Sequence, residues 1–116
     1  MPFQSLLDGL LSVEGAVGAL LLDAMGEVVL EAGARDDRHR LIGAYQGIAL
    51  ANARRTAHRY GAGEVLYLLC HYDWGSLILR PLKDGYYLLF SLAPDANIGR
   101  CLHRSAEAQE RLNAEL

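Results

Sequence analysis

The sequence predicts an α/β (α+β) fold in which helices cover both faces of a largely antiparallel sheet. Amphipathic helical patterns occur at the start, middle and end of the chain, and apolar strand-like runs lie between them. Short turn sequences connect the last three runs, as in an antiparallel meander. Those runs are apolar on both alternating faces, which helices on both sides of a sheet explain. The predicted order of elements is therefore α-β-β-α-β-β-β-α.

The first predicted elements are a helix and a hairpin. Residues 3–12 carry apolar side chains at three- and four-residue spacing, which predicts a short amphipathic helix. Residues 16–23 and 27–32 are short apolar runs. Between them Gly26 can supply the positive φ of a tight turn, so the two runs predict a β-hairpin.

The longest helical pattern covers residues 37–60. Asp36 or Asp37 can cap its beginning, because a carboxylate accepts hydrogen bonds from the free N–H groups of the first turn. Gly61 and Gly63 are typical of a helix end. We therefore expect one long helix between the hairpin and the meander.

The second half of the chain predicts three strands and a helix. The strands are residues 64–72, 76–82 and 86–93, with turn residues between them. Pro81 lacks a backbone N–H, so it should lie at the end of its strand or at an irregularity. A final helix opens at residues 94–95 and carries one apolar stripe towards the end of the chain.

Composition indicates one intracellular globular domain over residues 1–116. Hydrophobic residues make up 52% and charged residues 22% of the chain, an ordinary balance that argues against disorder. The formal charge of −3 gives no general attraction to nucleic acid. Cys70 and Cys101 are the only cysteines, which suits a reducing compartment. With no basic start and no apolar run near 20 residues, we expect a cytoplasmic protein without membrane insertion.

The long helix has two distinct apolar faces. Large side chains form one stripe, which we expect to lie on the sheet; its members are Leu41, Ile42, Tyr45, Ile48, Ala49 and Ala53. Gly43, Gly47 and Ala51 follow a four-residue spacing on another side, with Ala44 beside them. Glycine in a helix costs about 1 kcal/mol relative to alanine, which close approach of another backbone could offset. A C2 homodimer would supply that backbone. Alternatively, this face packs under a loop, or the glycines are tolerated in solvent.

Four segments of the chain carry a family resemblance. They are Val-Glu-Gly-Ala at 13–16, Leu-Leu-Leu-Asp-Ala-Met-Gly-Glu-Val-Val at 20–29, Asp-Gly-Tyr-Tyr-Leu-Leu at 84–89 and Ala-Asn-Ile-Gly-Arg at 96–100. Together with the order of elements, they resemble the Roadblock/dynein light chain domain family, of the bacterial small-GTPase-regulator type. The resemblance spans nearly the whole chain, and its motifs are short and mainly structural.

This resemblance implies both a layered fold and a function. The fold would be a profilin-like, three-layer sandwich: a five-stranded antiparallel sheet with the long helix on one face and the terminal helices on the other. Family members pair through the long helix and the third strand. The implied dimer interface is therefore Gly43, Ala44, Gly47, Ala51, Val65, Tyr67 and Leu69. The implied function is a non-enzymatic homodimeric regulator or scaffold that binds a Ras-like small GTPase or its complex. The alternative is a sensory module that holds a small ligand between sheet and helices.

The sequence predicts no catalytic, cofactor or metal site. It contains no phosphate-cradling glycine loop and no Gly-x-Ser-x-Gly elbow. Cys70 and His71 are neighbours on a predicted strand and point to opposite faces, so they cannot pair as nucleophile and base. Cys101 and His103 diverge in the same way on a helix. No spacing typical of a zinc site joins these four residues.

The remaining charged residues have several possible roles. Asp36, Asp37 and Asp95 are better explained as helix caps than as catalytic acids. Arg54, Arg55 and Arg59, with His58 among them, lie near the end of the long helix and have three interpretations. They compensate the helix dipole, they contact an acidic partner surface, or they supply an arginine to GTP.

Overall fold

A helix and a hairpin begin the fold, as the sequence predicts. The computed structural model describes residues 2–33 and 37–116. The predicted cap at Asp36 lies outside the described residues. In chain order the elements are α1 (Pro2–Leu10), β1 (Ala16–Leu22), β2 (Val28–Gly33), α2 (Asp37–Arg59), β3 (Leu68–Tyr72), β4 (Gly75–Pro81), a short 3₁₀ turn (Lys83–Gly85), β5 (Tyr87–Leu92) and α3 (Ile98–Glu115).

The five strands form one antiparallel sheet in the order β2-β1-β5-β4-β3. The central strands β1, β5 and β4 are buried on both faces. One face packs with α2 around a core that includes Leu20, Leu77 and Leu89. The other face packs with α1 and α3 around a core that includes Phe90 and Leu112. The predicted three-layer arrangement is therefore confirmed.

Turn chemistry at the ends of the hairpin and of α2 follows the sequence. Gly26 adopts a φ of 83° and donates its N–H to the carbonyl of Asp23. Gly61, with a φ of 66°, follows α2 in the left-handed conformation. The N–H of Ala62 bonds the carbonyl of Ala57 and that of Gly61 bonds His58, which is the Schellman pattern of a helix end.

Two predicted boundaries are wrong. The strand expected from residue 64 begins at Leu68, because the neighbouring strand ends at Pro81, which has no N–H to continue the ladder. The last helix begins at Ile98 instead of residues 94–95. Asn97 is its cap, and its side chain accepts a hydrogen bond from the N–H of Arg100 at 3.0 Å. Asp95 therefore does not cap this helix.

The expected orientation of α2 is wrong in part. Gly43 and Gly47 face the sheet, whereas Leu41, Tyr45 and Ile48 of the predicted stripe point away from it. Ile42 of that stripe is partly buried and packs against the core beneath α2, as expected. The side chain of Tyr87 rises from β5 and donates a hydrogen bond to the carbonyl of Gly43 at 3.0 Å. A Cβ atom at Gly47 would overlap the Tyr87 ring. The glycines therefore allow α2 to approach its own sheet closely.

Candidate protein-interaction surface

The outward side of α2 carries a ridge of large apolar side chains. Leu41, Tyr45 and Ile48 are 58%, 69% and 58% exposed, respectively. Their spacing of four and then three residues aligns them over about 10 Å of helix. We call these three residues the α2 outer face. Contiguous exposed apolar residues of this kind mark surfaces that contact other molecules.

Two of the small residues predicted to form a dimer contact pack within the chain itself. Gly43 is buried against Leu20 and Leu89, and Gly47 lies against Tyr87. Ala44 lies near the hairpin turn at Gly26. These two glycines therefore face the chain's own sheet, and their place in a dimer interface, like that of Ala44 and Ala51, stays a prediction. Ala51 lies further along α2, on the wall of a surface cleft.

Among the described strands, β3 forms one edge of the sheet and bonds to β4 alone. Just before and within it, Tyr67 and Leu69 are 40% and 38% exposed, on the face of the sheet that holds α3. Val65 is partly buried and packs against the core beneath α2. An edge strand presents unpaired N–H and C=O groups that a second strand can bond. These three positions therefore remain predictions for a dimer interface.

A buried arginine supports this edge. Arg80 is 6% exposed and donates hydrogen bonds to Ser105 Oγ at 3.0 Å, to the Leu102 carbonyl at 2.8 Å and to Gln109 Oε1 at 3.4 Å. It also donates to the carbonyl of Leu66 at 3.3 Å.

Arg80 therefore joins α3 to the segment that precedes β3. Its guanidinium carbon lies 4.9 Å from the centre of the Tyr67 ring. Burial lowers the pKa of Arg80, and the neighbouring Tyr67 opposes that change. Sequence reasoning did not single out this residue, although an arginine inside the apolar run of residues 76–82 was a usable signal.

Polar and aromatic contacts also join α2 to the other face of β3. Gln46 donates a hydrogen bond to the Tyr72 hydroxyl at 2.6 Å, and the thiol of Cys70 donates to Gln46 Oε1 at 3.7 Å. The exposed ring of Trp74 stacks on Tyr72 with centroids 5.1 Å apart. Burial raises the pKa of the Cys70 thiol, so it is held in its unreactive, protonated form.

The residues that could have carried catalysis are separated. Cys70 faces α2, whereas His71 lies on the opposite face with its Nδ1 atom 2.6 Å from Ser76 Oγ. Cys101 is fully buried in α3, and burial raises the pKa of its thiol. Within residues 2–33 and 37–116, no three His, Cys, Asp or Glu side chains cluster as a metal site would require. Sequence reasoning missed His39, whose buried Nε2 atom contacts Ser91 Oγ.

No helix in the described part of the chain is long and apolar enough to cross a membrane. The region between α2 and the sheet, where a sensory module would hold its ligand, is occupied by buried side chains. Leu22, Leu50, Leu79 and Leu89 are among them, and each is at most 3% exposed. The arginines near the end of α2 line an open cleft on the surface.

Solved structures with the same fold were found. A Roadblock/LC7 domain from Streptomyces avermitilis superposes with a TM-score of 0.85 and 20% identity, covering 97% of this chain and 95% of that one. MglB from Myxococcus xanthus gives a TM-score of 0.85 at 17% identity, covering 97% and 92%.

A complex of LokiProfilin1 with rabbit actin gives a TM-score of 0.56 at 13% identity, covering 98% and 96%. This more distant likeness confirms the profilin-like fold. No curated protein matches the chain.

The family comparison tests the resemblance directly. The family model described as the Roadblock/LC7 domain matches residues 2–91, which is most of the chain and extends from α1 through nearly all of β5. It includes the whole of α2 and the β3 edge. The chain belongs to the Roadblock/LC7 domain family.

Proposed function

We propose that this chain is a non-enzymatic, homodimeric regulator or scaffold in a Ras-like small-GTPase system. Roadblock domains are regulatory modules associated with GTPases, as the resemblance implies. The single observation that carries the proposal is the α2 outer face: Leu41, Tyr45 and Ile48 are exposed on a helix that is bonded through Gln46 and Tyr72 to the free edge strand β3. Burying this ridge removes apolar surface from water, at about 25 cal/mol per Å².

The proposed dimer pairs α2 with α2 and the β3 edge with β3 of a second copy. A two-fold axis brings the same patch of both chains together, so one ridge covers the other. Pairing at β3 would also bond its unpaired backbone groups. Tyr67 and Leu69 would then be covered, together with Val65 at the start of the edge. The whole of residues 1–116 acts as one domain in this proposal.

The same surface fits a regulator better than an enzyme. Its exposed groups are apolar and aromatic, and the thiols and histidines lie apart from one another. A regulator of a GTPase needs a stable contact surface, and it must bind the two nucleotide states of its partner with different affinities. We therefore propose that the dimer recognises a Ras-like GTPase in a nucleotide-dependent manner, without a cofactor of its own.

The first experiment measures solution mass by light scattering across a dilution series. The wild type should have about twice the mass of its 12.7 kDa chain at micromolar concentration. Ile48→Glu should shift the chain to the monomer, because it would bury a charge in the contact. Val29→Glu is the matched control, since Val29 is exposed on β2 and should leave the mass unchanged.

A wild type that stays monomeric at micromolar concentration would overturn the dimer. GTPase recognition is tested separately, by calorimetry with purified Ras-like GTPases loaded with GDP or with a nonhydrolysable GTP analogue. Affinity that depends on the nucleotide supports the proposal. A dimer that binds no GTPase in either state, but retains a small molecule after purification, would replace it with the sensory alternative.

A further inference from the structure

A large cleft opens beside the C-terminal half of α2. Its volume is about 1020 Å³, and it lies between the helix and the segment that leads to β3. We call it the basic cleft. Its walls consist of Ala51, Asn52, Arg54, Arg55, Thr56, His58, Arg59, Tyr60, Gly63, Glu64 and Val65. The cleft is comparable in size to a small-molecule pocket, and it is open along one side.

The charges of this cleft are not balanced within the chain. Among the residues that the structure describes, Arg54, Arg55 and Arg59 form no ion pair; Arg55 donates a hydrogen bond to Asn52 instead. Of the described residues that line the cleft, Glu64 is the one with a carboxylate. By contrast, Arg40 at the other end of α2 is paired with Glu31 at 2.6 Å. A chain of net charge −3 thus keeps three unpaired arginines in one concave site.

Helix-dipole compensation explains part of this cluster. His58 and Arg59 lie in the last turn of α2, where cations interact favourably with the dipole. Arg54 and Arg55 lie more than a turn from that end, beyond the reach of the effect. Arg55 and Arg59 are also four residues apart, so their like charges repel on the same side of the helix. A bound anion would relieve this repulsion.

We propose that the basic cleft binds an acidic, extended segment of a partner protein. Guanidinium groups bond carboxylates through two parallel N–H donors, which gives direction as well as charge attraction. Arg55 and Arg59 lie one helical turn apart, at about 5–6 Å between their Cβ atoms. In an extended chain, every second side chain lies on the same face, about 6.7 Å apart. A segment with carboxylates at alternate positions therefore matches the spacing of the arginines.

The walls favour a peptide over a nucleic acid. Ala51 and Val65 contribute apolar surface, and the exposed ring of Tyr60 stands at the rim, so side chains between the carboxylates have apolar contacts. A nucleic acid would extend over the rest of a surface whose net charge is negative, and phosphate contacts need cations along the whole path. The cleft concentrates its cations within a few residues of one helix. Val65 also belongs to the proposed dimer contact, so in a dimer the peptide would lie on the α2 side of the cleft.

The test uses two synthetic peptides with the same fluorescent label. One contains Glu-Val-Glu-Val-Glu, and the other has Gln in place of each Glu. Binding to the full chain is measured by fluorescence anisotropy at two salt concentrations. Arg55→Gln with Arg59→Gln, the pair whose spacing fits the carboxylates, should weaken binding of the acidic peptide about tenfold or more. The matched control is Arg100→Gln with Arg111→Gln, which removes the same charge from exposed positions on α3 and should weaken it less than about twofold.

Several results would overturn the proposal. Equal losses in the two variants would show attraction to charge in general. Equal affinity for the two peptides would show that carboxylates are not recognised. Tighter binding of inorganic tripolyphosphate or of a uridine oligonucleotide would assign the cleft to a phosphate ligand.

Light scattering on the same samples separates this test from that of the dimer. A variant that keeps the mass of the wild type and loses the peptide supports the cleft. A variant that loses both places these arginines in the contact between chains and overturns the peptide site.

Discussion

The two helical layers of this protein use apolar residues in opposite ways. In the α1/α3 layer, the large side chains point inward; Leu7, Cys101 and Leu112 are fully buried. In the α2 layer, the residues nearest the sheet include Gly43 and Gly47, and the large side chains of Leu41, Tyr45 and Ile48 point outward. The α1/α3 layer therefore covers its face of the sheet with buried side chains of its own.

The difference shows that a helix can cover a sheet by close approach of its backbone, without large side chains at the point of contact. Tyr87 occupies the space that side chains of α2 would otherwise fill, and its hydroxyl bonds the helix backbone at Gly43. Burial raises the pKa of Tyr87, so this hydroxyl remains a donor. Because the sheet supplies the volume, the helix is free to carry a second apolar face for another molecule.

The largest effect should come from adding volume between α2 and the sheet. Gly47→Leu should lower the free energy of unfolding by about 3 kcal/mol, since the new side chain would overlap the Tyr87 ring. Gly9→Leu is the matched control, because the space at Gly9 in α1 is open and a better helix former should be neutral or slightly stabilising. Urea unfolding at one protein concentration measures both.

A Gly47→Leu chain that keeps its stability but halves its mass would break the comparison. In that case the glycines would face a second chain and not the sheet. Loss of stability in both glycine variants would also remove the contrast between the two helices.

A smaller effect should follow from removing Arg80, which lies on β4 and faces the α1/α3 layer. Arg80→Met should cost about 2 kcal/mol, because it removes the donor that Ser105 Oγ accepts from and one of the two side-chain donors to the Leu102 carbonyl, the other being the Ser105 hydroxyl. Arg104→Met is the control; Arg104 is exposed on α3, and its ion pair with Glu107 should contribute less than about 0.5 kcal/mol. Chemical denaturation compares the two. Equal losses would show that the hydrogen bonds of Arg80 add no stability of their own.

The smallest effect should be a dependence on alkaline pH. Burial raises the pKa of the Cys101 thiol in the folded chain, so above about pH 8.5 the unfolded chain loses this proton first. Stability is then fully present below that pH and falls above it, by at most about 1.4 kcal/mol per pH unit. Cys101→Ala should remove this part of the slope under reducing conditions.

Cys70→Ala should remove less of that slope, because its thiol is only partly buried. Unfolding experiments from pH 7 to 10 give all three slopes. If the free energies of unfolding of the wild type and of Cys101→Ala fall in parallel with pH, the buried thiol of Cys101 is not the source of this pH dependence.

Most of the fold could be predicted because its signals are local. Glycines with positive φ mark the hairpin turn and the end of α2, and runs that are apolar on both alternating faces mark the buried strands. The beginning of β3 could not be predicted, because it depends on which residue lies opposite it; the neighbouring strand ends at Pro81. For the candidate surface, the sequence indicated α2 and β3, but it placed Leu41, Tyr45 and Ile48 on the sheet side of α2, where Gly43 and Gly47 lie.

The sequence by itself determined the order of elements, the family and the presence of two apolar faces on α2. The tertiary structure decided which of those faces meets the sheet, because helical periodicity says where apolar residues align and not what lies beside them. It also brought Arg80 beneath Tyr67 and set the arginines of α2 around one cleft. These are contacts between residues distant in the chain, and no local pattern encodes them.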